Sequence, residues 1–222
     1  MINTIIFDLG GTLVYPKYKN GFEFVRLAIN SAGIHDNEIS LQNITQLTLE
    51  YVALYSNFSI SSFTDYVSYL SSIVQRHCEC IDRIKRIRLV YHLLHEELFL
   101  ELDANEEELL SELKSQGYKL ILLSNWPIIY PFVHERLKLS EYFDDCYISA
   151  FQGKQKPSVS LLYRLVEDSG IVAKNSIMVG NSLEFDLNPA QKVGMHVIKH
   201  CKSKDSIVDL KQKIIAITKG GI

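Results

Sequence analysis

The sequence has no excess of positive charge. Its 23 Lys and Arg against 26 Asp and Glu leave a net charge of -3, and no basic stripe is offered to a nucleic-acid backbone. It also has no block of like charge, the mark of a disordered tail. The aromatics are scattered, so no platform for stacking bases is expected. No apolar run approaches the ~20 residues of a membrane-spanning helix. Cysteine is sparse, with only Cys78, Cys80, Cys146 and Cys201. The Cys78/Cys80 pair has no matching His/Cys pair nearby, which argues against a zinc site. A strand-like run begins at Ile2 without the basic start and long apolar stretch of a secretory leader. Reduced thiols and a cytoplasmic location are therefore expected. Neither internal repeats nor low-complexity segments interrupt the chain.

What is present is ordinary globular material. The 222 residues, 47% hydrophobic and 22% charged, suffice for one large domain or two small ones. An apolar run, Ile2–Phe7, predicts a first strand. From Tyr15 to about Leu102 the spacing is helical. GFEFVRLAINSAGI, LQNITQLTLEYVALY, FTDYVSYLSSIVQRH and IKRIRLVYHLLHEEL predict four or more helices, with no strand among them. Beyond that stretch, strands and helices alternate. DANEEELLSELKSQG reads as a helix, with Asn105 as N-cap and Gly117 as its stop. Strands are predicted at Tyr118–Ser124, Cys146–Ser149, Ser176–Val179 and MHVIK, with helices between them and a last helix near Ser206–Ile217. Such alternation implies an α/β, Rossmann-like parallel sheet with helices on both faces. The expected division is an α/β core of residues 1–14 and 103–222, carrying an inserted all-helical cap at 15–102.

Ligands of open parallel sheets bind beyond the carboxyl ends of the strands. The first predicted strand ends in Asp8, followed by Gly10, Gly11 and Thr12. The second ends in Ser124 and Asn125. The third is followed by Lys154 and Lys156, the fourth by Gly180, Asn181, Ser182, Glu184 and Asp186. An acid, a hydroxyl, a lysine and an Asn/Asp cluster thus converge on one edge. Lys154 and Glu184 read as surface residues, and His77, His92, His95 and His134 as packing or surface residues.

This ordered set, FDLGGTL, LLSNW, GKQKPS and GNSLEFD, resembles the four motifs of the haloacid dehalogenase superfamily of hydrolases. The helical insert resembles that family's type-1 cap. The resemblance implies Asp8 as nucleophile, forming an aspartyl ester. It implies Lys156 and Ser124 as its catalytic partners. Gly10, Gly11, Thr12 and Asn125 would hold the phosphoryl oxygens of a small phosphorylated metabolite. It also implies Mg²⁺ on Asp8, the Gly10 backbone oxygen, Asn181 and Asp186. A monomer or homodimer, with no nucleic-acid or membrane partner, is expected.

Two positions depart from the family's pattern. Gly10 stands where its phosphatases carry a second Asp, the general acid and base, worth roughly 10²–10⁴ in rate. Asn181 stands where an Asp ligand is usual, so metal affinity should fall. A phosphatase without an acid at position 10 should favour good leaving groups or borrow a proton donor, with Tyr15, Lys17 and Tyr18 as candidates. Two alternatives stand beside it. One is 2-haloacid hydrolysis, whose enzymes resemble this chain in lacking the second Asp and in using Asn in the fourth motif. It is disfavoured by Tyr55 where their halide-binding Arg sits, and by Leu162 and Tyr163 around the place of their tyrosine. The other is a catalytically degenerate relative that binds a ligand or a partner.

Overall fold

The computed structural model describes residues 1–57, 59–60 and 62–220. Strand β1 (Thr4–Phe7) is buried along its whole length. The chain then forms β2 (Val14–Pro16) and enters the helical stretch: α1 (Gly21–Ser31), α2 (Leu41–Tyr55), α3 (Phe63–His77) and α4 (Arg83–Leu94). Each of these helices is opened by a side chain that accepts a first-turn N–H: Asn20, Ser40, Ser62 and Asp82. Phe24, Leu47, Tyr66, Leu70, Leu89 and Leu93 bury the helices against one another. A 3-10 turn at Glu96–Phe99 leads into β3 (Leu100–Leu102). β3 pairs antiparallel with β2, Val14 opposite Leu102. This ribbon corrects the expectation of a strand-free stretch. At three residues per strand it is too short to show an alternating pattern.

Alternation follows as expected except at α7, which begins at Ser149 where a strand end and a loop were expected: α5 (Ala104–Ser115), β4 (Lys119–Ser124), α6 (Tyr130–Arg136), β5 (Asp145–Ile148), α7 (Ser149–Gln152), α8 (Val159–Asp168), β6 (Ser176–Gly180), α9 (Asn188–Lys192), β7 (His196–Lys199) and α10 (Ile207–Thr218). The N-cap of α5 is Asp103, not Asn105. The Asp103 carboxylate pairs with Lys202 Nζ at 2.8 Å and makes no capping bond. The five core strands lie in the order β5-β4-β1-β6-β7, all parallel.

Period-2 alternation divides the apolar strand residues between two layers. Ile5, Phe7, Leu120, Leu122, Ile177 and Val179 belong to a core shared with Leu109 and Leu110 of α5 and Leu210 and Ile214 of α10. Ile6, Ile121, Leu123 and Met178 face Leu161, Leu162 and Leu165 of α8. Strands buried on both faces read as continuous apolar runs, which is why TIIF and LILL were legible. The register puts Phe7 beside Leu122 and Val179, so the chain leaves β1, β4 and β6 at one level, and the polar residues that follow meet there.

Candidate active site

Asp8 follows directly on the central strand, and its N–H donates to Val179 O at 2.9 Å. The next residues turn tightly: Gly11 N–H donates to Val14 O at 2.8 Å, and Leu13 N–H to Leu9 O at 2.9 Å. Gly11 has φ +77°, and a Cβ on it would lie 2.3 Å from Asn181 Nδ2. Only glycine fits there, for its dihedral and for the close approach. Gly180 is the counterpart at the end of β6, where a Cβ would stand 2.5 Å from that of Asp186. Gly10 is different. Its φ is ordinary, and a Cβ there would meet only Trp126, with Cζ3 at 3.6 Å.

Past β6, a π-helical turn at Leu183–Leu187 folds Asp186 back over the strand end. Ser182 N–H donates to Asp186 Oδ2 at 3.0 Å, and Ser182 Oγ accepts from Phe185 N–H. Lys156 Nζ donates to Asp8 Oδ1 and to Asp186 Oδ1, each at 2.6 Å. Thr12 Oγ1 donates to the other Asp8 oxygen at 2.8 Å. All four of these side chains are buried.

The charges explain one another. Burial alone would pull the Lys156 ammonium down, but two carboxylates in contact with it outweigh this and hold its pKa above the ordinary value. Burial pushes the Asp8 carboxyl up, with the Asp186 charge adding to it, while Lys156 pulls it down. Two acids against one ammonium leave the cluster one negative charge in surplus, which favours a cation.

A cleft of about 280 Å³ opens on this cluster, lined by Asp8, Gly10, Ser124, Asn125, Trp126, Lys156, Asn181, Ser182, Phe185 and Asp186. Larger clefts lie between Met1 and α10, with about 610 Å³, and beside Tyr15, where Lys202 pairs with Asp103 and Glu106, but neither takes its lining from the residues that directly follow β1, β4 and β6. A profile of the haloacid dehalogenase-like hydrolases matches residues 2–194.

The chain belongs to that family.

Relatives of this hydrolase include a glyceraldehyde 3-phosphate phosphatase of Methanothermobacter thermautotrophicus, 32% identical over 95 residues that cover 42% of each chain. The matched stretch thus spans less than half of that relative's length. The Pyrococcus abyssi protein of the same name is 25% identical over 210 residues, covering 89% of this chain and 81% of its own. A haloacid dehalogenase-family enzyme from Bacteroides thetaiotaomicron, solved with magnesium and inorganic phosphate, superposes with a TM-score of 0.62 at 20% identity, covering 92% of this chain and 97% of that one.

Within the hydrolase fold, Asp8, Gly10, Ser124, Asn125, Lys156, Asn181 and Asp186 all line the cleft. Three expectations change. Gly11 packs against Asn181 and spends its N–H on Val14, so it is not free for a phosphoryl oxygen. Thr12 is fully buried beneath Asp8 and orients that carboxylate, with no place in the cleft lining. Asn125 uses both ends of its amide on the Lys156 backbone: Nδ2 donates to Lys156 O at 3.0 Å, and Oδ1 accepts from Lys156 N–H at 2.9 Å. It therefore positions the lysine. The proposed donors lie elsewhere: Lys17 pairs with Glu101, Tyr18 donates to Glu96, and Tyr15 lines a different cleft beside Asp103.

Trp126 and Phe185 line the cleft without having been anticipated. Trp126 is the only tryptophan of the chain and the last residue of the second motif, LLSNW, and that position was the available signal. Among the described residues the lining includes no arginine to hold a halide. Leu162 is buried under the sheet and Tyr163 is exposed.

Proposed function

We propose that this hydrolase cleaves monoesters of phosphate on small molecules, with Asp8 as the nucleophile. The observation that carries the reading is Lys156 bonded to Asp8 and Asp186 at once, at the level where three parallel strands end. An Asp8 carboxylate oxygen attacks phosphorus. The bond from phosphorus to the ester oxygen breaks, and its electron pair leaves with that oxygen. Thr12 holds the carboxylate for attack. The Lys156 ammonium offsets the crowding of negative charge between carboxylate and phosphate. The Ser124 hydroxyl is available to a phosphoryl oxygen. Water then attacks phosphorus, frees Asp8 and releases inorganic phosphate. Position 10 supplies no carboxyl to either half of the reaction.

The donor set suits Mg²⁺. It consists only of oxygens: two carboxylates, the Asn181 amide and the Gly10 carbonyl, with one negative charge in surplus. Asp8, Gly10, Asn181 and Asp186 would hold the ion, whose contribution is to neutralise phosphoryl charge. The crystallised relative with magnesium and phosphate, and the relatives named as phosphatases, support this reading. We further read the helical stretch behind the β2–β3 ribbon as a cap and 2-haloacid hydrolysis as unsupported, since the described lining residues include no arginine.

The test is phosphate release from 4-nitrophenyl phosphate and from glyceraldehyde 3-phosphate with Mg²⁺, for the native chain and Asp8→Asn. Release that disappears in the variant is expected. Release that survives it, or none from either protein on any ester, rejects the reading.

A further inference from the structure

The polar lining of the cleft accounts for a phosphoryl group, but the apolar lining has no part in that chemistry. It consists of two aromatic rings, Trp126 and Phe185. Phe185 is 43% exposed although its backbone is fixed by Ser182. Trp126 is 5% exposed and held from three sides. Ser149 Oγ accepts from its N–H at 2.9 Å and donates to its carbonyl at 3.1 Å. Ala150 N–H reaches the same carbonyl. Tyr55 of α2 meets the indole edge-on, with ring centroids 6.4 Å apart. Among the described residues, the indole is also the one group within 4 Å of where a Cβ of residue 10 would stand. The rim of a fixed, nearly buried indole thus borders the position from which a leaving group would otherwise receive its proton.

Resting on the phosphatase reading above, we propose that Trp126 and Phe185 form a leaving-group subsite and that the ester taken carries a planar, unsaturated, apolar leaving group, of the aryl class. Two features agree on this. A flat apolar group gains by packing against the exposed Phe185 ring and the rim of the Trp126 indole, whereas a sugar hydroxyl gains nothing from the Phe185 ring. An aryl oxygen also departs as a stabilised oxyanion, keeping the electron pair of the broken phosphorus–oxygen bond and taking its proton from water afterwards. It therefore needs no carboxyl at position 10.

Because Trp126 is the sole tryptophan, its emission reports on the subsite directly. Phenylphosphonate and methylphosphonate, which cannot be hydrolysed at an ester bond, are titrated into the full chain with MgCl₂. Binding is followed by tryptophan fluorescence and by calorimetry. Phenylphosphonate is expected to bind about tenfold more tightly and to change the Trp126 emission. Trp126→Ala should abolish this preference, Trp126→Phe should keep most of it, and neither should weaken methylphosphonate. Phe185→Ala, at an exposed ring, reduces the preference without threatening the fold, and decides the matter if Trp126→Ala does not fold.

Equal affinities in the native chain, no binding of either phosphonate, or a preference that survives the alanine variants would each overturn the subsite. A phenyl preference in a protein that releases phosphate from no ester keeps the subsite and rejects only the phosphatase reading. Asp8-dependent phosphate release without a phenyl preference does the reverse.

Discussion

Three glycines lie at the strand ends, and they are there for different reasons. Gly11 is required twice, by φ +77° and by Asn181 at 2.3 Å from a Cβ. Gly10 is required by neither. Gly11→Ala should therefore lower stability by about 1–2 kcal/mol from the left-handed backbone alone, and more from displacing Asn181. Gly10→Ala should lie between neutral and about 1 kcal/mol stabilising. Urea unfolding of the two variants checks this, and equal losses would contradict it. At Lys156, substitution by Met leaves two buried carboxylates without their cation. A loss of about 3–5 kcal/mol is expected, together with a larger rise in Tm on adding Mg²⁺ than in the native chain. A variant as stable as the native chain would mean that the Lys156 pairing contributes nothing. Position 10 was legible as a departure from the motif, because an absent carboxylate shows in a sequence. That an indole stands against it was not, since residues 10 and 126 are joined only by the adjacency of β1 and β4.

At the scale of elements, the site is held by ties between strand ends. Ser149 opens α7 at the end of β5 and satisfies both backbone groups of Trp126, just past β4. Ser149→Ala would leave that N–H without its partner in a buried place, at a cost of about 1–3 kcal/mol. Phenylphosphonate binding should weaken while the sheet persists, as circular dichroism would show. Unchanged binding would mean that the indole is held by its ring contacts alone. The core helices and the long strands were readable because α8 carries strong helical periodicity and β4 is an unbroken apolar run. The helices α2 and α3 begin and end where their sequence patterns do. The β2–β3 ribbon and the π-helical turn before α9 were not readable, because neither has a period long enough to register.

At the scale of the molecule, the helical stretch joins the sheet at the β2–β3 ribbon, and an acid is buried at the junction. Glu96 accepts from Tyr18 Oη, while its second oxygen is buried without a partner. Desolvation, reinforced by the neighbouring Glu97 charge, pushes its pKa from 4.5 up to about 8. The folded chain then binds this proton more tightly than the unfolded chain does. The contribution is fully present below pH 4.5 and is lost as pH rises through about 8. Stability should decline over that window, and Glu96→Gln should flatten the decline. Unfolding in urea between about pH 5 and pH 9 measures it, and a slope unchanged in the variant would show that Glu96 titrates normally.

The sequence by itself determined the parallel α/β core, the helical stretch after its first strand, and the places of Asp8, Ser124, Lys156 and Asp186 at or beyond the ends of successive strands. Those properties follow from local periodicity and from where an apolar run stops. Only the tertiary structure decided which polar atoms are already engaged: Gly11 with Val14, Asn125 with Lys156, Thr12 with Asp8. It also decided that the cleft has an aromatic lining. Hydrogen-bond partners and the space beyond a missing side chain depend on residues distant in the chain, and the sheet order brings those residues together only after folding.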